Sequence, residues 1–378
     1  MTNPRILTTH VGSLPRPQDV VDFIFAKERG DAFDQSLFDQ AMKHAVSHIV
    51  ARQAKAGIDI VSDGEMSKIS YATYIKDRYS GFDGDSPRRT PADLEAFPGF
   101  LTKLGQRGGT PTYRRPCCVG AICLRDDRPL KIDIANLAEA TLRYPVHGSF
   151  MNAPSPGVVA LFQPNQYYAN DDLYLEALAE ALRTEYEAIV GAGLVLQIDS
   201  PDLGLGRHMM YKDLEETTYL NRIERHVEIL NHALRNVPAE KARMHVCWGN
   251  YEGPHHKDVP LEAILPAVLR AKPSGLLFET ANPRHGHEWE TIYEMRSIIP
   301  DSKVLIPGVI DSTTNFIEHP RLIAQRLRQF TNIVGVERVI AGSDCGFGTF
   351  AGYGVVDPDI VFAKFEAMVE GAAIASSR

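Results

Sequence analysis

Short β-branched runs alternate with longer segments of helical period along most of the chain. The runs are "ILTTHVGS" (6–13), "IDIVSDGE" (58–65), "CCVGAICL" (117–124), "YPVHGSF" (144–150), "LVLQIDS" (194–200), "RMHVCWG" (243–249), "GLLFET" (275–280), "VLIPGVID" (304–311) and "RVIAGSDC" (338–345). Brief apolar runs that end in polar or glycine positions read as buried strands. Between them, segments 171–193, 213–236, 260–271 and 319–335 carry the 3.6-residue period of amphipathic helices. The first opens on aspartates and closes on glycines, as helix boundaries do. Strand and helix in alternation predict a parallel sheet with helices packed on it. An eight-stranded (β/α)8 barrel needs one run fewer than the nine found here, and 117–124 is the surplus one. It follows a Gly/Pro-rich stretch, 81–116, that reads as an excursion ending in a β-hairpin. The expected fold is therefore α/β, a TIM barrel with an insertion around residues 80–125, and residues 1–378 are expected to form one domain.

Composition narrows the function without naming it. Apolar residues make up 44% of the chain and charged residues 23%, as in ordinary soluble proteins. With 40 basic and 48 acidic residues the formal charge is −8, so there is no electrostatic footprint for nucleic acid. No window is long and apolar enough for a membrane span, and the start of the chain has no signal-peptide pattern. A cytoplasmic location is the expectation. Five cysteines, Cys117, Cys118, Cys123, Cys247 and Cys345, are too few and odd in number for a disulfide framework, and are expected to be thiols.

Two of these thiols stand where chemistry would be expected. His245 and Cys247, in "MHVCWGN", are two apart on a strand, so both side chains point to one face with Cα atoms about 6.5–7 Å apart. They can reach one ion. Glu279 closes "GLLFET" and Cys345 closes "RVIAGSDC", at two further strand ends. In a barrel the functional groups gather at that end of the strands. One imidazole, two thiolates and one carboxylate suit zinc and fit magnesium or calcium poorly. An isolated His-x-Cys would more often be two core residues; the convergence of three strand ends is what favours a site.

The motifs "TTHVGSLPRP", "DGE", "LQID", "HVC", "FET", "PGVID" and "GSDCG", in this order, resemble the C-terminal catalytic barrel of cobalamin-independent methionine synthase over nearly the whole chain. The resemblance implies a (β/α)8 barrel that binds Zn2+ through His245, Cys247, Glu279 and Cys345. It implies homocysteine binding by Val11, Gly12 and Ser13, by Glu65 of "DGE" and by Asp199 of "QID". Paired carboxylates suit the ammonium of an amino-acid substrate, although Asp199 could also only cap the next helix. The implied reaction is methyl transfer to a zinc-activated thiol, of homocysteine or a related molecule. No catalytic residue beyond the zinc site is assigned.

The sequence departs from the family in three respects. Full-length members carry an additional N-terminal barrel, to which nothing in this chain corresponds. "QIDSP" places Ser200 where the family has an acid, and "DST" places Thr313 where it has a histidine thought to protonate the leaving nitrogen. Methyltetrahydrofolate needs that proton. Short single-barrel relatives include some thought to take methyl from a corrinoid carrier and others that open epoxides with coenzyme M. The donor thus stays open, with a zinc-thiolate alkyltransferase of the epoxyalkane:coenzyme M type as an alternative, for which Arg16 or Arg284 could hold a sulfonate. A non-catalytic zinc-binding barrel is a second alternative. The segment "YEGPHHKDVP" (251–260) reads as a loop over the site, a second metal at its histidines and Asp258 being the less favoured reading.

Overall fold

The computed structural model describes residues 5–87, 89–106 and 113–377. Eight parallel strands form a nearly closed barrel: β1 (Leu7–Thr8), β2 (Ile60–Ser62), β5 (Gly148–Pro154), β6 (Val195–Asp199), β7 (Ala242–His245), β8 (Gly275–Phe278), β9 (Val304–Ile310) and β10 (Ile340–Ser343). Their order around the barrel is β1-β10-β9-β8-β7-β6-β5-β2. The seam between β1 and β2 is closed by side chains as well as backbone. Thr8 N–H donates to Asp59 Oδ2 at 2.9 Å, and Thr9 Oγ1 donates to the Ile60 carbonyl at 3.0 Å.

The surplus run is not a barrel strand. Residues Cys117–Cys118 (β4) pair antiparallel with Phe82–Asp83 (β3), tying together the two ends of the excursion. This is a clasp across a long insertion rather than a tight hairpin. Residues 88 and 107–112 of the excursion lie outside the described residues. The run 144–150 is displaced, because its strand starts only at Gly148 and continues to Pro154. Pro145 offers no N–H to a ladder, so pairing begins beyond it.

The helices follow their periodic pattern. Helix Asp171–Gly191 is capped by Asn170, whose side chain accepts the Leu173 N–H. It buries Tyr174, Leu175, Leu178, Leu182, Tyr186 and Ile189 against the sheet and its neighbours. Helix Pro320–Val334 starts with proline at its first position and is capped by the His319 ring, which places that histidine at a helix end. None of the described helices is long and apolar enough to cross a membrane.

The barrel interior is polar near its C-terminal end. Buried Arg243 donates to Gln197 Oε1 at 2.8 Å, to Thr9 Oγ1 at 2.9 Å and to the His10 carbonyl at 3.0 Å. Gln197 and Asn152 pass the network on to Asp199, donating to Oδ1 at 3.1 Å and to Oδ2 at 2.9 Å. Buried networks of this kind rigidify what they touch, and this one underlies the site, with Asn152 Oδ1 left without a partner.

Candidate functional site

Strand register brings the candidate residues to one mouth. Asp199 is paired with His245 across β6 and β7, and Cys247, Glu279 and Cys345 follow the ends of β7, β8 and β10. Cys247 Sγ lies 3.8 Å from Cys345 Sγ. A ring nitrogen of His245 and both sulfurs lie within 4.8 Å of one another, and all three residues are buried. His245 Nε2 donates to the Asp344 carbonyl at 3.1 Å, while Nδ1 is 3.7 Å from Asp199 Oδ1.

Glu279 stands apart from this trio. Its Oε1 accepts the Trp248 N–H at 2.9 Å, and its Oε2 accepts Asn282 Nδ2 and Arg284 Nη2, each at 2.7 Å. The carboxylate is buried beside the cluster but is turned toward these donors. Sequence reasoning missed Asp344, which organises this corner: its carboxylate accepts the N–H groups of Thr280, Ala281 and Asn282 at 2.8–2.9 Å. A Cβ on Gly308 would come within 2.2 Å of Asp344 Oδ1, so glycine is what lets β9 admit that side chain. The signal was present in "GSDCG", where the aspartate precedes the cysteine.

Electron-rich groups crowd the centre. The neighbouring Cys345 sulfur and burial together push the Cys247 thiol well above its ordinary value. Burial opposes a charge on His245, but Asp199, Cys345 and Glu279 outweigh it and raise the imidazole to about 9. Two thiolates bound at about 2.3 Å to one tetrahedral zinc would lie roughly 3.8 Å apart, which the sulfur pair already matches. The donor chemistry and the spacing fit that ion.

A cavity of about 390 Å³ opens onto the cluster. Val11, Ser13, Glu65 and Asp199 line it together with His245, Cys247 and Cys345, and Tyr71, Phe162 and Phe350 supply apolar wall. Of the groups expected at the end of β1, several are already engaged inside the protein. Val11 N–H donates to Ser343 Oγ, the Val11 carbonyl accepts from Asn152, and the Gly12 N–H donates to His10 Nδ1. Gly12 has φ +140, and a Cβ there would meet Asn152 Oδ1 at 2.2 Å. Asp199 does not cap a helix; Asn152 and Gln197 hold both its oxygens.

Glu65 differs from Asp199. It is 2% exposed, adopts φ +57, and its Oε2 has no hydrogen-bond partner. Burial pushes its carboxyl up to about 7, with Asp199 adding to the rise and Lys68 and Arg16 opposing it. A buried carboxylate with an empty acceptor, facing a cavity, is poised for a cation. If Glu65 must be ionised to bind substrate, kcat/KM for an amino-acid thiol will climb as pH rises through about 7. Glu65→Gln will abolish that limb of the profile, which steady-state kinetics at several pH values would check.

Along nearly its whole length the chain is similar to a "Methionine synthase" of Saccharolobus solfataricus, 26% identical over 97% of this chain and 94% of the relative. That of Sulfurisphaera tokodaii is 25% identical over 98% and 93%. Both of these relatives are named methionine synthase. The fold is also that of a B12-independent methionine synthase from Shewanella sp. W3-18-1, solved in complex with selenomethionine (TM-score 0.72, 18% identity, 98% of this chain and 97% of that one). No family model matches the chain.

Proposed function

We propose that the chain is a zinc-dependent S-methyltransferase that converts homocysteine to methionine. The observation that carries this reading is the 3.8 Å pair of sulfurs with a His245 nitrogen beside it, opening onto a cavity that also holds an unpartnered buried carboxylate. The whole-length similarity to methionine synthases supports the same reaction.

In this reading His245, Cys247 and Cys345 hold the ion, and Glu279 is the fourth, exchangeable ligand. Arg284 and Asn282 donate to its carboxylate, and these donors would receive it when a substrate thiol took its place. When bound, zinc would supply a substrate thiol in its deprotonated, nucleophilic form at neutral pH. Glu65 and Asp199 receive the substrate ammonium, and Ser13 lies on the same wall. The sulfur then attacks the methyl carbon in line: an S–C bond forms, and the bond from methyl to donor breaks with its electron pair on the leaving group.

Thr313 bears on the donor. Its hydroxyl donates to Asp311 Oδ1 at 2.8 Å, and it is not among the residues that line the cavity. A folate nitrogen must be protonated as methyl is transferred, whereas a corrinoid keeps the electron pair of its broken bond to methyl on the metal and takes no proton. The site therefore suits a corrinoid methyl donor better than methyltetrahydrofolate. Sulfonate recognition is less well served, since Arg16 donates to the Glu65 and Gly348 carbonyls and Arg284 to Glu279.

Mixing homocysteine with zinc-loaded protein in weak buffer near pH 8, where Glu65 is already mostly ionised, should release most of a proton per thiol bound, because a free thiol of pKa ≈ 8.5 is still largely protonated there. Binding without proton release would refute thiol activation.

A further inference from the structure

Away from the two cysteines, a second cluster converges on Asp258. His208 Nδ1 lies 3.1 Å from Asp258 Oδ1, and His255 Nδ1 lies 3.1 Å from the same oxygen. The three residues offer donor atoms within 4.8 Å of one another, and none lines the cavity of the thiol centre.

The tautomers can be read from the far side of each ring. His255 Nε2 is 3.1 Å from the Tyr251 carbonyl, which only accepts, so that nitrogen carries the hydrogen. His208 Nε2 faces the Tyr251 hydroxyl at 3.4 Å, and that hydroxyl donates to the Asp93 carboxylate at 2.8 Å. The oxygen of Tyr251 therefore accepts, and His208 Nε2 also carries its hydrogen. With each Nε2 engaged on its far side, both rings aim Nδ1 at the same carboxylate oxygen. His208 is 1% exposed, and its Nδ1 makes no hydrogen bond although it lies near Asp258. The buried, unpartnered Nδ1 of His208, aimed at Asp258 beside the His255 ring, is what points to a ligand here.

The surroundings hold the trio in this arrangement. His255 has φ +52, in the left-handed region, and is pinned by its N–H donating to Asp93 Oδ2 at 2.9 Å. Asp258 is oriented through its other oxygen, which is 3.1 Å from His255 Nδ1 as well, 3.0 Å from His285 Nε2 and 3.9 Å from Arg284 Nη1. Support of this kind, a ligand fixed through its second polar atom, is how metal sites are commonly built.

We propose that His208 Nδ1, His255 Nδ1 and Asp258 Oδ1 form a second divalent-cation site, separate from the thiol centre. Two imidazoles and one carboxylate suit zinc, cobalt or nickel better than magnesium or calcium. Water would complete the coordination. A cation here fastens the turn Leu205–His208 to the segment 251–258, which carries Tyr251 into the cavity wall. His256, adjacent in sequence, takes no part; it packs edge-on against Phe97.

The test is titration of the metal-free full chain with Co2+, followed by absorption spectroscopy and metal analysis. Two equivalents are expected, one with a sulfur-to-cobalt charge-transfer band and one without. The variant His208→Gln/His255→Asn, which keeps a residue tolerant of the left-handed conformation, should bind only the equivalent with the band. Cys247→Ser/Cys345→Ser should bind only the other. A single equivalent carrying the sulfur band in the unaltered protein would overturn the proposal, as would two equivalents in the histidine variant. A single equivalent without the band would support this site and contradict the thiol centre, so the two readings fail separately.

Discussion

Replacing Cys345 by serine should remove the sulfur-bound metal and lower methyl transfer by about a thousandfold or more, while the melting temperature stays near that of the unaltered chain. Two contributions make the effect large. A free thiol of pKa ≈ 8.5 is only a few per cent ionised at pH 7, so loss of thiol activation alone costs roughly thirtyfold. Loss of positioning removes the effective-molarity advantage of a held nucleophile, which is worth further orders of magnitude. Stability should change little because Cys345 follows β10 at the barrel mouth, outside the packed interior, and its sulfur meets another sulfur rather than core methyl groups. Cys247→Ser should behave alike. Metal analysis, thermal melting and initial rates on the same preparations would check this; a Cys345→Ser protein with full sulfur-site metal would contradict the assignment. Global unfolding on removal of that metal alone would instead favour a structural role.

Glu65→Gln should raise KM for homocysteine by about a hundredfold, with kcat changed far less and metal content unchanged. The substitution keeps the size of the side chain and removes its charge. Leaving one partner of a desolvated charge pair without the other costs about 2–5 kcal/mol, and every 1.4 kcal/mol is tenfold. Because the ammonium is remote from the reacting sulfur, ground state and transition state lose the contact together, which is the pattern of a KM effect. Asp199 is a less clean target, since its Oδ1 lies 3.7 Å from His245 Nδ1 and both its oxygens belong to the Asn152 and Gln197 network. Asp199→Asn should therefore disturb metal and substrate together. A Glu65→Gln enzyme with unaltered KM would show that its unpartnered oxygen serves something else.

The barrel could be read from the chain because its signals are local. Apolar runs, helical periods and glycine or proline stops locate the elements, and eight parallel strands follow from their alternation. The later start of β5 also had a local signal, in Pro145, whereas the clasp between β3 and β4 had none, since strand pairing depends on partners distant in sequence. The same division holds at the site. His245 and Cys247 announce themselves by their spacing, although β7 ends at His245 and Cys247 lies just beyond it, and Cys345 by its place after a strand end. The side-chain commitments of Glu279 to Arg284, of Asp344 to the backbone after β8, and of Arg243 to Gln197 depend on neighbours across the barrel. Pattern along one strand carries no record of them. The histidine cluster lies between these cases: "HHKD" hinted at a metal, but His208, which joins it, comes from another loop altogether.

The most direct measurement is product analysis. Zinc-loaded protein would be incubated with homocysteine and, in parallel, with methylcobalamin, methyltetrahydrofolate in mono- and polyglutamate forms, and a short epoxide, with products identified by mass spectrometry. Methionine is the expected product, formed faster from methylcobalamin than from either folate. No methionine with any donor, or a thioether from the epoxide alone, would contradict the account.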